Sequence, residues 1–409
     1  MNTNKQYIRL TFLCTAVYFI SYVSRINLAA VMVDLVQTGF TTKQTAALAL
    51  TLCSIAYGAG QILSGWLGDR FKPQNIILVG FFLTSAMNLG VSVLESARLL
   101  PALWAVNGLA QACMWPPLVA IMALHLNQDQ YSRACVWVNW GSAFGTIFIY
   151  LCSPLLLRWG GFQTIFRFSG VAALAMAALW KVLFSLWFEG EATSEAVIGE
   201  PAQKPKAEPF TRNALVLMAL VMVAIILQGS LRDGVSNWMP PFVSENFGLD
   251  SSSAIFAGVL LPIFQILCSQ VAATLFRKYF TNEATASGVI FAAGTAAAVL
   301  LSVVMHRSVL VTAVLMAVLV GCMHGVNLVL IGIVPRQFRR FGRVGLVSGL
   351  LNSCTYVGSA VSTYGVALLS ESLGWQKTSL LWAIIALGGA VVCLLIAPKW
   401  KAFRKDDVN

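Results

Sequence analysis

The chain has 409 residues, of which 58% are hydrophobic and only 11% are charged, and its mean hydropathy is +0.77. Because soluble domains carry about a quarter charged residues, this composition excludes an ordinary soluble protein. The net charge of +11 would indicate nucleic-acid binding only if a soluble domain presented a basic face. We therefore expect an integral membrane protein with no nucleic-acid partner.

Apolar stretches recur along nearly the whole chain. A helix rises about 1.5 Å per residue, so about 20 residues cross a hydrocarbon core of about 30 Å. β-Barrel strands would alternate polar and apolar residues instead. The sequence predicts an all-α membrane protein with twelve transmembrane helices, at about 8–36, 44–66, 75–95, 99–124, 131–157, 163–188, 211–241, 252–275, 283–304, 308–333, 344–369 and 375–397.

The basic residues are distributed unevenly between the predicted loops. Of the 27 Lys and Arg residues, nineteen fall on the side of the two termini and six on the opposite side. Loops rich in Lys and Arg stay in the cytoplasm. We expect a monomeric multi-pass protein of the inner or plasma membrane with both termini cytoplasmic, and some attraction to anionic lipid.

The longest predicted loop divides the chain into two halves. Residues 189–210 combine Pro, Gly and charge without apolar periodicity, which is typical of a linker. The sequence predicts an N-terminal six-helix bundle (1–188), a cytoplasmic linker (189–210) and a pseudo-symmetric C-terminal six-helix bundle (211–409). The other two basic residues, Arg25 and Arg232, fall in the first and seventh helices, which are counterparts in a parallel repeat.

An arginine inside a membrane span is a candidate functional residue. Placing it near mid-bilayer costs at least about 2.5–3.5 kcal/mol unless it is paired or faces a wet cavity. Arg suits anion binding because its planar fork bonds two oxygens of a phosphate or carboxylate. The alternative is that each arginine only braces its own half. Asp233 makes this alternative serious for Arg232, although helical neighbours point about 100° apart, which predicts poor pairing.

Two tyrosines share a helical face with Arg25. Tyr18 and Tyr22 lie four residues apart, and Arg25 follows three residues later. Their hydroxyls could donate to an oxyanion, although aromatic stripes more often serve packing.

The loop between the second and third helices contains Gly65, Gly68, Asp69 and Arg70 within the stretch GWLGDRFKP. It resembles the signature loop of the major facilitator superfamily, in which glycines allow close approach and the adjacent acid and base form bonds at the inner gate. A solvated turn with topology-setting charges is the alternative. The corresponding loop between the eighth and ninth helices (275–283) keeps basic charge but lacks the glycines.

Seven stretches resemble the organophosphate:inorganic phosphate antiporters of that superfamily, the relatives of glycerol-3-phosphate and hexose-phosphate transporters. They are Tyr22–Leu28, Ala56–Gln61, Gly65–Pro73, Asn107–Pro117, Arg133–Trp137, Arg232–Pro240 and Gly349–Gly358. The resemblance implies that Arg25 and Arg232 grip a phosphoryl group and that Tyr18, Tyr22, Tyr57 and Tyr356 line the cavity. It also places Arg133 with the structural and gating residues.

Three positions depart from that family. Gln61 stands where the family has a lysine, Gly141 where it has a histidine, and His324 where it has a tyrosine. Loss of the lysine weakens the case for a doubly charged organophosphate and leaves room for a carboxylate or sulfonate. His324 is a candidate substrate or proton site, as is Asp233 for the proton, and a neutral histidine bonded to a neighbouring helix is an equal alternative.

The expected function is secondary active transport of a small organic anion by alternating access, with inorganic phosphate as counter-substrate. The sequence contains no P-loop, no Ser/His/Asp set and no cluster of metal ligands, so we expect no enzyme, cofactor or metal site. The nine cysteines all fall within predicted spans, which disfavours a disulfide framework. The alternatives are proton-coupled symport of carboxylates or sulfonates, and a transporter-like organophosphate sensor.

Overall fold

The computed structural model describes residues 3–189, 208–248 and 260–405. Within these ranges the secondary structure is helical, without strands. We number the α-helices α1 (Thr3–Gln37), α2 (Lys43–Arg70), α3 (Pro73–Ser92), α4 (Leu100–Ala112), α5 (Trp115–His125), α6 (Gln128–Phe184), α7 (Arg212–Phe247), α8 (Leu260–Lys278), α9 (Glu283–Val304), α10 (Val309–Asn327) and α11 (Val344–Lys405).

Eleven helical segments of the described chain are long and apolar enough to cross a membrane. The longest, Gln128–Phe188, contains 61 residues and includes both the fifth and the sixth predicted spans. Gly160 and Gly161 depart from helical geometry between them, and Gly161 has a φ of 68° that favours glycine. The all-α membrane fold is confirmed, and these two non-helical glycines separate the fifth and sixth spans within the predicted boundary at 158–162.

The C-terminal run, α11, has the same construction. Gly374, with a φ of 76°, interrupts its helical geometry between the eleventh and twelfth predicted spans. Because a glycine in the left-handed region turns the chain sharply, each run consists of two helices that meet at a tight turn, within the boundary predicted between the two spans.

Two predicted spans are irregular. The fourth, at 99–124, is divided at Cys113 and Met114, after which Pro116 and Pro117 lie in the first turn of α5, where proline is tolerated. The tenth ends as an α-helix at Asn327 and continues through a π-helical segment, Leu328–Ile333, and a 3₁₀ segment, Val334–Phe341. The start of the eighth predicted span and most of the linker, residues 190–207, lie outside the described residues.

Polar side chains fix several helix starts. Asn127 accepts the backbone N–H of Gln130, whose side chain accepts the N–H of Asn127 in return, which begins α6 with a capping box. Asn282 accepts two backbone N–H groups at the start of α9, and Ser308 caps α10. These caps satisfy amides that would otherwise lack partners at the membrane surface.

The residues form two compact units. The first comprises residues up to Glu208 together with Phe338–Leu350, and the second comprises Pro209–Gln337 together with residues from Leu351 onward. A division at the linker alone would place Phe338–Leu350 in the second unit, whereas this segment belongs to the first. It contacts α2 through the first turn of α11.

Each unit has its own apolar core and close helix contacts. In the first, Trp104 packs edge-on against Phe166 at 5.7 Å between ring centroids. In the second, Phe242 packs against Trp375 at 5.0 Å and Trp382 at 6.0 Å. A side chain at Gly108 would overlap the backbone of Cys53, so only glycine allows α2 and α4 to approach this closely.

Candidate functional site

Arg25 lies on α1 in the first unit, with its side chain partly exposed. Its guanidinium carbon lies 4.2 Å from the ring centroid of Tyr22 and 4.7 Å from that of Tyr57 on α2. Aromatic rings attract a cation through their faces, whereas the N–H donors of a guanidinium point outward in its own plane. The two rings therefore stabilise a charged arginine within a span.

Tyr18 extends this aromatic group by one helical turn. Its ring centroid lies 5.2 Å from those of both Tyr22 and Trp115, and its exposure is 8%. Trp115 begins α5, and the sequence interpretation identified it only as part of a resembling stretch. The structure thus brings together Tyr18, Tyr22, Arg25 and Tyr57, as the spacing and the resemblance predicted, and adds Trp115.

Arg232 lies on α7 in the second unit, where Asp233 pairs with it directly. Its Nε donates to Oδ1 of Asp233 at 2.6 Å and its Nη2 donates to Oδ2 at 2.8 Å. The prediction that Asp233 is poorly placed to neutralise Arg232 is wrong. The Cα–Cβ directions of helical neighbours diverge by about 100°, but the long arginine side chain bends back across the helix surface to reach the shorter carboxylate.

Other second-unit residues surround this ion pair. Ser359 on α11 forms a side-chain hydrogen bond with Asp233, and His324 on α10 lies near enough to both charged groups to interact electrostatically. Ser359 was missed, since its only sequence signal is its position one residue after a resembling stretch. Three helices thus contribute an arginine, an aspartate, a histidine and a serine to one cluster.

The remaining predicted substrate residues are Gln61 and Tyr356. Gln61 is fully buried one turn after Tyr57 on α2, and Tyr356 is partly buried on α11 in the second unit, three residues before Ser359. Gly141, at the position of the family histidine, packs on the backbone of Thr15, so a larger side chain there would require α1 to move.

The structure places Gly65–Arg70, which we expected in a loop, in the last turns of α2. There Asp69 accepts hydrogen bonds from two backbone amides at the start of α11. The donors are the N–H groups of Gly345 at 2.8 Å and Leu346 at 2.7 Å, both in the first unit. A carboxylate at a helix N-terminus satisfies orphan amides and interacts favourably with the helix dipole. As the resemblance implied, the acid of this stretch bonds to another helix, and its role at an inner gate stays a prediction.

The other residues of this stretch, Gly65, Gly68 and Arg70, have distinct environments. A side chain at Gly65 would overlap the backbone of Gly345, whereas the nearest atoms to a Cβ at Gly68 are 3.9 Å away. The guanidinium of Arg70 lies 4.0 Å from the ring centroid of Trp66. Gly65 is therefore required by packing, and Gly68 is not.

Arg133 pairs with its own helix. Its Nη2 lies 2.8 Å from Oδ2 of Asp129, one turn earlier on α6, and the two side chains are 54% and 57% exposed. Exposed pairs of this spacing contribute about 0.3–0.5 kcal/mol. A gating role for Arg133 stays a prediction.

A buried carboxylate in the second unit was also missed. Glu283, the first residue of α9, is fully buried and accepts hydrogen bonds from Gln337 at 2.7 Å and from Trp400 Nε1 at 2.9 Å. Nη1 of Arg404 lies 3.2 Å from the same carboxylate and also donates to the carbonyl of Thr281. The sequence signal was an acidic residue directly after the cap of α9. Among the described residues, no group of three or more His, Cys, Asp or Glu side chains could hold a metal ion.

The sequence profile of the Major Facilitator Superfamily matches residues 14–363. The chain belongs to this superfamily. It is an integral, multi-pass membrane protein of a transporter fold.

Comparison with individual proteins agrees with this assignment. The chain is 22% identical to the membrane sensor protein UhpC of Salmonella typhimurium, over 93% of this chain and 88% of that protein. It is 23% identical to the glycerol-3-phosphate transporter of Bacillus subtilis, over 68% and 67% of the two chains. The crystal structure of the superfamily transporter FucP in its outward conformation has a TM-score of 0.72 at 12% identity, covering 97% of this chain and 99% of that chain. These relatives agree with the resemblance to organophosphate:phosphate antiporters.

Proposed function

We propose that the protein is a secondary active transporter of a small organic anion that works by alternating access and exchanges its substrate for inorganic phosphate. The observation that carries the proposal is the position of Arg25, a partly exposed cation held against the rings of Tyr22 and Tyr57 inside a membrane span. An intramembrane arginine is costly and is retained where it binds a ligand or a partner. Arg232, its counterpart in the half-chain repeat, is the second anion-binding residue.

The charges at the two arginines favour a monoanion. Arg25 contributes one positive charge, whereas Arg232 and Asp233 together contribute none when the carboxylate is ionised. Gln61 adds no charge where the related carriers have lysine. A monoanionic carboxylate or sulfonate, or a singly charged phosphate ester, therefore matches these charges better than a dianion.

The argument for exchange is electrostatic. An anion bound at Arg25 lowers the cost of carrying the guanidinium charge inside the membrane, so the loaded protein changes its access state at lower electrostatic cost than the empty protein. We place the protein in the cell membrane as a monomer with both termini in the cytoplasm, because of the distribution of basic residues.

Anion binding is tested by a thermal-shift screen of the purified protein. The ligands are inorganic phosphate, phosphoglycerates, sugar phosphates, sulfonates and sugar acids, each tested on the wild type, Arg25→Ala and Arg98→Ala. Arg98 is an exposed loop arginine and serves as the matched control. We expect one ligand class to stabilise the wild type and Arg98→Ala but not Arg25→Ala. Equal stabilisation of all three proteins would refute the role of Arg25.

Exchange is tested in proteoliposomes loaded with or without internal phosphate. Uptake of the stabilising anion should be several-fold faster with internal phosphate. Equal uptake in both preparations would refute obligatory exchange while leaving anion binding intact.

Proton-coupled symport is the second candidate, and the cluster of Arg232, Asp233 and His324 favours it. Protonation of Asp233 would release the fork of Arg232 for the substrate, so a proton and an anion would bind together. This mechanism predicts uptake driven by an inward proton gradient in the wild type and independent of that gradient in Asp233→Asn. Uptake that ignores the gradient in both proteins would contradict it.

A sensor is the third candidate, because the relative UhpC is named a membrane sensor protein and its sequence aligns with 93% of this chain. A sensor would bind the anion in the thermal-shift screen without moving it across the bilayer. Uptake by purified protein in proteoliposomes, with no partner present, would show that the protein is a transporter and not only a sensor.

A further inference from the structure

The first unit contains a buried polar network on the side of α1 that faces away from the aromatic group. Ser21, Ser24 and Asn27 recur at intervals of three residues and therefore share a helical face. All three are buried, whereas Tyr22 and Arg25 are partly exposed on a different face of the same helix. The established superfamily membership assigns no role to this buried face.

Side chains from α3 and α4 bond to this face at every turn. Ser21 Oγ donates to Oε1 of Gln111 at 2.5 Å, and Nε2 of Gln111 donates to Oγ of Ser24 at 3.2 Å. Asn27 Nδ2 donates to Oδ1 of Asn88 at 2.7 Å. Since neighbouring helices in lipid gain nothing from the hydrophobic effect, such bonds set their relative rotation.

Two further bonds from α3 and α4 hold the backbone beside Arg25. Nδ2 of Asn88 and Nδ2 of Asn107 both donate to the main-chain carbonyl of Ser24, at 3.1 Å and 3.2 Å. This carbonyl belongs to the peptide group whose nitrogen is that of Arg25. The N–H of Leu28, three residues after Arg25, donates to Oδ1 of Asn27 at 2.9 Å.

We propose that Asn88 and Asn107 are positioning residues that fix the rotation of α1, so that the Arg25 guanidinium stays against the ring of Tyr57 on α2. The inference rests on the proposed anion-binding role of Arg25 and names the residues that make it possible. A rotation of α1 by one residue, about 100°, would carry Arg25 and Tyr22 together away from Tyr57. Because the amides hold the peptide group itself, they restrict the position of Arg25 without contacting its side chain.

Asn107 offers the cleaner substitution. It donates the bond to Ser24, and its Oδ1 has no hydrogen-bond partner among the described residues, so Asn107→Leu removes a donor while keeping the branched shape of the side chain. Ser85→Ala is the matched control: Ser85 is a buried residue of α3 whose hydroxyl donates to the carbonyl of Gly170 on α6 at 2.8 Å, away from α1. If Asn107→Leu does not fold, Asn107→Ala removes the same donor.

The first readout needs no substrate. Purified full-length protein is treated with phenylglyoxal, which modifies arginine, and labelling of the Arg25 peptide is followed by mass spectrometry. We expect the labelling rate to change by about threefold in Asn107→Leu, the factor set by one interhelical hydrogen bond, and to stay unchanged in Ser85→Ala. An unchanged rate in Asn107→Leu, or an equal change in the control, overturns the inference.

The second readout is a double-mutant cycle with Arg25→Lys, using inorganic phosphate as the probe in the thermal-shift measurement. Asn107→Leu should raise the half-maximal phosphate concentration about threefold in the wild-type background and have no effect in the Arg25→Lys background. Equal effects in both backgrounds contradict positioning. If Arg25→Lys does not change the phosphate response, the proposed function fails, and the labelling rate still decides the positioning inference.

Discussion

Arg232 and Asp233, consecutive residues of α7, form a two-point ion pair in which Nε and Nη2 of the arginine donate to the two carboxylate oxygens at 2.6 Å and 2.8 Å. Arg25, by contrast, lies against the rings of Tyr22 and Tyr57. The two intramembrane arginines are counterparts in the half-chain repeat but have different partners. The second unit can therefore respond to protonation in a way that the aromatic group of the first cannot.

Asp233→Asn is expected to tighten anion binding. The substitution removes a negative charge that competes for the fork of Arg232, and we expect the Kd of the stabilising anion to fall by about tenfold, or about 1.4 kcal/mol. The measurement is the half-maximal ligand concentration in a thermal-shift titration at neutral pH. Glu95→Gln, an exposed loop variant, should bind as the wild type does. Weaker binding by Asp233→Asn would show that Asp233 supports the site.

Replacing Tyr57 separates its ring from its hydroxyl. Tyr57→Phe keeps an aromatic face against Arg25 and should leave anion affinity nearly unchanged. Tyr57→Leu loses the cation–π contact, worth about 0.5–1 kcal/mol, and should weaken binding by about two- to fivefold. Titration of both variants with the same anion checks this. A large loss in Tyr57→Phe would assign the main role to the hydroxyl instead.

Asp69→Ala should lower the free energy of unfolding by about 1–2 kcal/mol, because two amides at the start of α11 lose their acceptor. Asp129→Ala removes the carboxylate of the exposed pair with Arg133 and should cost less than about 0.5 kcal/mol. Denaturation in detergent, followed by circular dichroism, measures both. Similar losses in the two variants would contradict a capping role for Asp69.

Gly108→Ala should destabilise the first unit by about 1–3 kcal/mol, since its new methyl group overlaps the backbone of Cys53. Gly90→Ala is the matched control, because the nearest atom to a Cβ there is 3.7 Å away. The melting temperatures of the two variants in the same detergent make the comparison. A stable Gly108→Ala would mean that α2 and α4 can separate without cost.

Glu283→Ala should cost about 3 kcal/mol or more, because it leaves the buried donors of Gln337 and Trp400 without their acceptor and Arg404 without its counter-charge. Glu283→Gln keeps a carbonyl acceptor and should cost less. Denaturation in detergent ranks the variants, with exposed Glu95→Ala as control. Equal stability of Glu283→Ala and Glu95→Ala would contradict this structural role.

Local patterns in the sequence predicted the helices and the first half of the candidate site. The stripe of Tyr18, Tyr22 and Arg25 follows from helical spacing alone, because residues three and four positions apart share a face in any α-helix. The predicted boundaries at 158–162 and 370–374 contain Gly160, Gly161 and Gly374, whose backbone departs from helical geometry. Span length, apolarity and these glycine breaks are local features, which is why they could be predicted.

Contacts between distant segments were not predictable from local patterns. Nothing near Asp69 in the sequence indicates that it bonds to Gly345, 276 positions later. The pairing of Arg232 with Asp233 depends on the rotamer of a long side chain, which Cα–Cβ directions do not determine.

The sequence by itself determined that the chain spans a membrane as a bundle of helices, because hydropathy and helix length are local properties. It also determined that Arg25 and Arg232 lie within spans. The tertiary structure decided what each arginine meets, aromatic rings for Arg25 and a carboxylate for Arg232. It also decided that Asn88 and Asn107 hold the peptide group before Arg25, since the rotation of one helix against another is fixed by packing and hydrogen bonds between segments far apart in the chain.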